Sequence, residues 1–311
     1  MKVEALAAAH PYEGRLAVPS WTLGCFRRRS ITYANGVEDD RTRVIWIQSH
    51  GLTGDIRIPA NRPRLSHRRS LRDCSRDELA AVASAEGGVA DTAYEQGRMS
   101  WSNWAAFQPY DKWPEPGELR RVGPCLVEFA PSGAYVEDWR LESGAAGLLV
   151  GLRLLGEARG DGPVDPRDGG LVIAGDHAIH ALGRRAPLPS EAPLSDQLRE
   201  ADDLASLAAA VFDAQTRYAR RDREGRYRVE LATDPFAEGG ELELDGFAMG
   251  DAPGRVVQTI PTQAGDLRRF WRVDTLVAAS SVRSETESAA DGAAWLAEQT
   301  RHLPGLAPAL G

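Results

Sequence analysis

The clearest pattern in the chain is alternation of apolar and polar positions in short runs. Residues 42–49 read Thr-Arg-Val-Ile-Trp-Ile-Gln-Ser, a β-branched and aromatic run that predicts a strand. Residues 54–59 predict its hairpin partner. With the turn at 50–53, Gln48 faces Asp55, Trp46 faces Arg57 and Ile47 faces Ile56. Ile45, Ile47, Ile56 and Ile58 then share one face, and Trp46, Gln48, Asp55 and Arg57 share the other. A slip of one residue would mix the two sets, so turn and pattern agree. A second hairpin joins 122–129 to 134–141 through Ala130-Pro131-Ser132-Gly133. It puts Glu128, Tyr135, Glu137 and Trp139 on one face, and Cys125, Val127, Phe129, Val136 and Asp138 on the other.

Further strands are predicted at 21–26, 31–34, 148–156, 171–174 and 177–182, the last two joined by Gly175-Asp176. After a predicted helix the strands resume at 227–233, 241–249, 255–260 and 266–276. That helix spans 195–220, with Leu198, Leu204, Leu207, Val211 and Tyr218 as its buried stripe. A shorter helix opens on the capping box Ser75-Arg76-Asp77-Glu78 and stops at Gly87, and a last one is expected over 284–302. The Gly/Asp/Pro stretch 158–170 reads as a long hairpin connection. Trp139-Arg140-Leu141-Glu142 is echoed by Trp271-Arg272-Val273-Asp274, a four-residue hint of duplication. Many short antiparallel strands with few helices predict a mainly β fold: an antiparallel β-barrel, one or two of them. The division expected is a barrel over 1–190, then a helix with a second, smaller or partial barrel over 191–311.

The segments Trp46-Ile47-Gln48-Ser49, Asp55-Ile56-Arg57-Ile58-Pro59 and Tyr135-Val136-Glu137-Asp138-Trp139 resemble a calycin-type pattern. The chain resembles the fungal Hrr-kinase-interacting two-barrel proteins and their bacterial relatives, over roughly 21–184. The resemblance implies a lipocalin- or nitrobindin-like barrel. It implies no single activity, because such relatives include ligand carriers, haem binders and isomerases.

Charge narrows the partners. The net charge of −8 argues against nucleic acid, since phosphate binding needs a positive field. No run of about 18 apolar residues occurs, so no membrane span is expected. The first 14 residues lack the order of a signal peptide. Three isolated cysteines, Cys25, Cys74 and Cys125, fit reduced thiols in a cytoplasmic protein and have no metal-ligand spacing. Phosphate loops, dinucleotide fingerprints, nucleophile elbows and His-Glu-x-x-His are all absent.

The candidate chemistry lies on the hairpin faces. Turned inward, Trp46, Gln48, Asp55 and Arg57 would orient a small molecule. Arg57 can hold a carboxylate or enolate through its fork. Asp55 becomes a base if desolvation raises its pKa. Turned outward, the same two are a solvated surface pair. Glu128, Tyr135, Glu137 and Trp139 offer two carboxylates beside a phenol, suited to proton transfer. Charges are seldom buried, and that favours an outer wall for this second face. His50 sits beside Gly51, either as an acid/base at a barrel mouth or as a turn-tip residue. The run Ser100-Trp101-Ser102-Asn103-Trp104, with Phe107 and Trp113, is a hydrophobic plug or a ligand wall. Simple alternation puts Trp101 and Trp104 on opposite faces. His177 and His180, three apart on a strand, point to opposite sides and cannot share a metal.

The expectation is a barrel that binds a small, partly apolar molecule through Trp46, Gln48, Arg57, Trp101, Glu128, Tyr135 and Trp139. The alternative is a cofactor-independent isomerase, cyclase or lyase using Asp55, Glu137 and His50. A third reading is an interaction protein whose basic stretch 62–76 docks an acidic partner. No metal or cofactor is expected; haem held by His177 or His180 is the outlying case. Homodimerisation stays open.

Overall fold

The computed structural model describes residues 1–110, 114–142, 147–280 and 289–299. Helix α1 (Val3–Ala9) and the short β1 (Tyr12–Glu13) lead into β2 (Gly24–Tyr33), with β3 (Glu38–Asp39) added on its edge. An antiparallel meander follows through β4 (Arg43–Gln48), β5 (Leu52–Ile58), β6 (Glu86–Glu95), β7 (Arg98–Ala106), β8 (Gly117–Val122), β9 (Cys125–Phe129) and β10 (Tyr135–Leu141). β10 then pairs with β2, from Tyr135 opposite Tyr33 to Leu141 opposite Phe26, and the eight strands close into a barrel. Closure satisfies both edges of the sheet.

The predicted faces hold, with both hairpins shifted by two residues in register. Gln48 pairs with Thr53, Trp46 with Asp55 and Ile45 with Ile56, so the first turn is 49–52 rather than 50–53. The turn closes early because the Ser49 N–H and hydroxyl both donate to the Leu52 carbonyl, at 2.9 and 3.0 Å. A shift of two leaves every side chain on its own face.

The remaining strands form a second sheet: β11 (Gly147–Arg159), β12 (Asp165–Ala174), β13 (His177–Leu182), β14 (Gln215–Arg221), β15 (Tyr227–Ala232), β16 (Phe247–Met249), β17 (Arg255–Ile260) and β18 (Leu267–Ser280). Its first strand, β11, also pairs with its last, β18. The gap between β15 and β16 is crossed by residues 239–246. Leu242 N–H donates to Tyr227 O at 3.0 Å on one side, and Thr259 N–H to Gly246 O at 2.9 Å on the other. The sheet therefore curls round, and α1 fills it: Val3, Leu6 and Ala7 are fully buried among Val150, Leu152, Phe247 and Trp271. Trp139 and Trp271, the two echoed positions, stand buried in different sheets.

The two sheets meet on the isoleucine face. Ile45, Ile47, Ile56 and Val89 share one core with Val172, Ile179 and Leu149. A Cβ added at Gly54 would lie 2.9 Å from the Ile179 side chain, so the missing side chain is what lets these strands approach.

Four expectations change. The connection expected over 158–170 shortens to 160–164, because β11 runs to Arg159 and β12 starts at Asp165. The single helix over 195–220 is instead α3 (Leu194–Glu200), α4 (Leu204–Val211) and the strand β14. Asp203 breaks it by accepting from Ser206 N–H at 3.0 Å, capping a new helix. Beyond, 215–221 pairs with strands on both sides, and tertiary pairing overrides the helical spacing. Of the strand expected at 241–249, only Phe247–Met249 forms; the clean alternation of 241–244 supplies one bridge, Arg228 to Glu241. The capping box forms as expected on α2 (Arg76–Val82), but the chain re-enters the sheet at Glu86. Helix α5 (Ala290–Gln299) covers the outside of the barrel, with Trp295 edge-on to Phe129 at 5.8 Å.

Candidate functional site

The closed barrel holds a cavity of about 600 Å³. Alternate residues of its strands line it: Trp46 from β4; Thr53, Asp55 and Arg57 from β5; Trp101 and Ala106 from β7; Glu128 from β9; Tyr135 and Trp139 from β10. Period-two geometry explains the selection, because each strand sends every second side chain inward. Trp104 lines the cavity beside Trp101, against simple alternation. The register between β6 and β7 slips there, and Asn103 sits at φ 53°. The extra residue restores Trp104 to the inner face, and asparagine tolerates that left-handed backbone.

One end of the cavity is polar. Arg57 Nε donates to Asp55 Oδ1 at 2.9 Å, and its Nη1 stands 3.5 Å from Glu137 Oε1. Arg28 donates to the same Glu137 oxygen at 2.7 Å and to Asp39 at 3.1 Å. Tyr135 donates its phenol to Glu128 Oε1 at 3.3 Å. Glu128 and Glu137 are directly opposed on neighbouring strands. Burial, and then the Glu137 charge, pushes the Glu128 carboxyl up to about 8. Burial also raises Asp55, against the pull of Arg57. For Arg57 burial opposes the charge, yet Asp55, Glu137 and Glu86 hold the guanidinium firmly protonated.

The aromatic side is tightly packed. Phe26 stacks on Trp46 at 4.9 Å, Trp46 meets Trp139 edge-on at 5.7 Å, and Trp46 Nε1 donates to Thr53 Oγ1. The mouth is built by residues 183–191, which leave β13 and cross the barrel end. Arg184 fixes this segment, donating to the carbonyls of Phe107 and Val211. Gln108 ties the Ala83 and Ala85 carbonyls to the N–H of Leu194.

Compared with protein-family models, curated proteins and solved structures, the chain matches none of them. Function is therefore read from the site itself.

Of the ten residues singled out in the sequence, seven line the cavity: Trp46, Asp55, Arg57, Trp101, Glu128, Tyr135 and Trp139. Glu137 lies behind them, held by Arg28. The second hairpin's charged face is therefore not the wet outer wall its composition favours: Glu128 is 5% exposed and Glu137 1%. Arg28 explains how that burial is tolerated, since a buried carboxylate needs a cation in contact. Gln48 faces inward but is fully buried, donating to the Ser49 and Leu52 carbonyls. His50 is not at the mouth. Its turn docks on β18, where Gly51 N–H donates to Asp274 Oδ2 at 3.1 Å, Ser49 Oγ lies 3.1 Å from the same oxygen and His50 N–H donates to Thr275 Oγ1 at 3.3 Å.

His177 and His180 lie in the second sheet, away from the cavity; His177 Nδ1 is 2.8 Å from the Tyr218 hydroxyl. No group of three His, Cys, Asp or Glu among the described residues is placed to hold a metal. The basic stretch 62–76 is largely used internally: Arg62 reaches Glu238 at 2.6 Å, and Arg76 reaches the Leu198 carbonyl at 3.0 Å. No helix among the described residues is long and apolar enough to cross a membrane. Trp113 lies outside the described residues.

Sequence pattern does not mark Glu86, Arg28 or the Arg184 segment as site residues, and simple alternation places Trp104 on the face opposite Trp101. Trp104 carried a signal in the Asn103 beside it. The others carried none, because β2–β10 closure and the path of 183–191 are long-range features.

Proposed function

We propose that the barrel binds a small, partly apolar molecule, with its apolar body against the tryptophans and its polar end among Asp55, Arg57, Glu128 and Tyr135. The observation that carries this reading is the 600 Å³ cavity, which joins an aromatic wall to a polar end. Its size falls in the range of ligand sites, roughly 300–1,000 Å³. The calycin kinship belongs to the same reading, supported by the closed eight-stranded meander. No cofactor, metal or nucleic acid enters it, and the protein acts in the cytoplasm.

Native mass spectrometry of freshly purified protein tests the role. Wild type should retain a small molecule or take up apolar probes. Ala106→Trp, which fills the cavity from β7, should do neither while keeping its far-ultraviolet spectrum. Wild type that stays bare and takes up no apolar probe would refute the reading.

A second reading has one observation behind it. Glu128, titrating near 8, is a protonated acid at neutral pH, with the Asp55–Arg57 pair on β5, four strands away round the barrel. Such a pair of environments suits a cofactor-independent isomerase or lyase. In that case Glu128 is the proton donor. Glu137, engaged by arginine, and His50, docked on the other sheet, are not.

A further inference from the structure

The cavity is lopsided in charge. Among the described residues its lining and the pair behind it hold Asp55, Glu86, Glu128, Asp168, Glu191 and Glu137 against Arg57, Arg184, Arg185 and Arg28. The arginines are engaged, Arg57 by Asp55 and Glu137, Arg28 by Glu137 and Asp39, Arg184 by the Phe107 and Val211 carbonyls, and Arg185 by Glu157 and Asp213. Glu128 differs from the other carboxyls. It lines the cavity, is 5% exposed, and has no cation within ion-pair distance among the described residues. Its hydrogen bond comes from the neutral phenol of Tyr135. The indoles of Trp46, Trp101, Trp104 and Trp139 line the same space.

We propose that the ligand of this cavity is a cationic amphipath, an amine or quaternary ammonium compound whose nitrogen sits against Glu128 and the surrounding indoles. This rests on the binding role proposed above. A carboxyl buried beside a second carboxylate keeps its proton; a cation in contact with it makes the ionised form favourable. Indole rings attract cations through their quadrupole, and the attraction strengthens where water is excluded. An anionic ligand would instead meet Asp55 and Glu128, with the lining arginines Arg57, Arg184 and Arg185 already engaged. A neutral ligand gains apolar contact alone.

The groups facing Glu128 are Tyr135 and Glu137 from β10 and Arg57 from β5, while β8 presents the uncharged Gly117 and Leu119. Binding of the cation displaces the Glu128 proton to the buffer. Apparent affinity for a cation therefore rises with pH toward about 8 and levels off above it.

The test is calorimetric titration of the full chain with hexyltrimethylammonium, hexan-1-ol and hexanoate, in two buffers of different ionisation heat, between about pH 6 and pH 9. The cation should bind at least about tenfold more tightly than the other two, release a proton near neutrality, and gain about a hundredfold in affinity across the range. Glu128→Gln should abolish the proton release and the preference for the cation. Trp101→Leu, on a half-buried wall position, should weaken the cation more than the alcohol. Hexan-1-ol or hexanoate binding as tightly as the cation would overturn the ligand class, as would a Glu128→Gln variant with intact cation preference; either result leaves the binding role standing. If wild type binds none of the three, both fall.

Discussion

Replacing Glu128 with Gln should stabilise the unliganded protein, by an amount that grows with pH. In the folded state this carboxyl titrates at about 8, against 4.5 for an ordinary glutamate. Between those values the native state holds a proton that the unfolded chain has lost. Wild-type stability therefore falls as pH rises through that window, and the loss is complete above about 8. At about 1.4 kcal/mol per pH unit the full gap corresponds to about 5 kcal/mol. Relaxation and water entry bring the expected gain to about 2–5 kcal/mol. Gln has nearly the same shape and no charge, so near pH 5 the variant and wild type should agree within about 1 kcal/mol. Asp55 shifts in the same direction but is present in both proteins, so it cancels to first order. Urea unfolding at about pH 5, 7 and 9, followed by tryptophan fluorescence and far-ultraviolet circular dichroism, measures the difference. A difference that stays flat with pH, or a variant less stable than wild type at the alkaline end, would refute the burial argument for Glu128.

Three further outcomes follow from contacts elsewhere. Arg28→Met leaves Glu137 buried without its 2.7 Å partner and should cost about 3–5 kcal/mol in urea unfolding, much of it recovered by adding Glu137→Leu. Gly54→Ala pushes a Cβ to 2.9 Å from Ile179 and should destabilise the sheet–sheet packing by about 1–3 kcal/mol, read as a lower Tm. Leu6→Ala opens a cavity where α1 fills the second sheet and should cost about 2–5 kcal/mol, while probe binding in the first barrel persists.

Much of the barrel was legible in short segments. The alternation in 42–58 and 122–141 assigns every side chain to one of two faces, and a two-residue error in register changes neither assignment. Alternation therefore places Trp46, Asp55 and Arg57 on one face of the first hairpin and Glu128, Tyr135 and Trp139 on one face of the second, and both faces line the cavity. Alternation by itself does not say which face is enclosed. That depended on β10 reaching β2, which brings Arg28 onto Glu137 and lets a charged face turn inward. It depended equally on the second sheet, which covers the isoleucines and draws the His50 turn away from the mouth. Local pattern determined the strands and their two faces because side-chain direction is a property of neighbouring residues. Tertiary structure decided inside from outside, 215–221 as strand rather than helix, and the burial of Glu128, because each depends on groups brought together from distant parts of the chain.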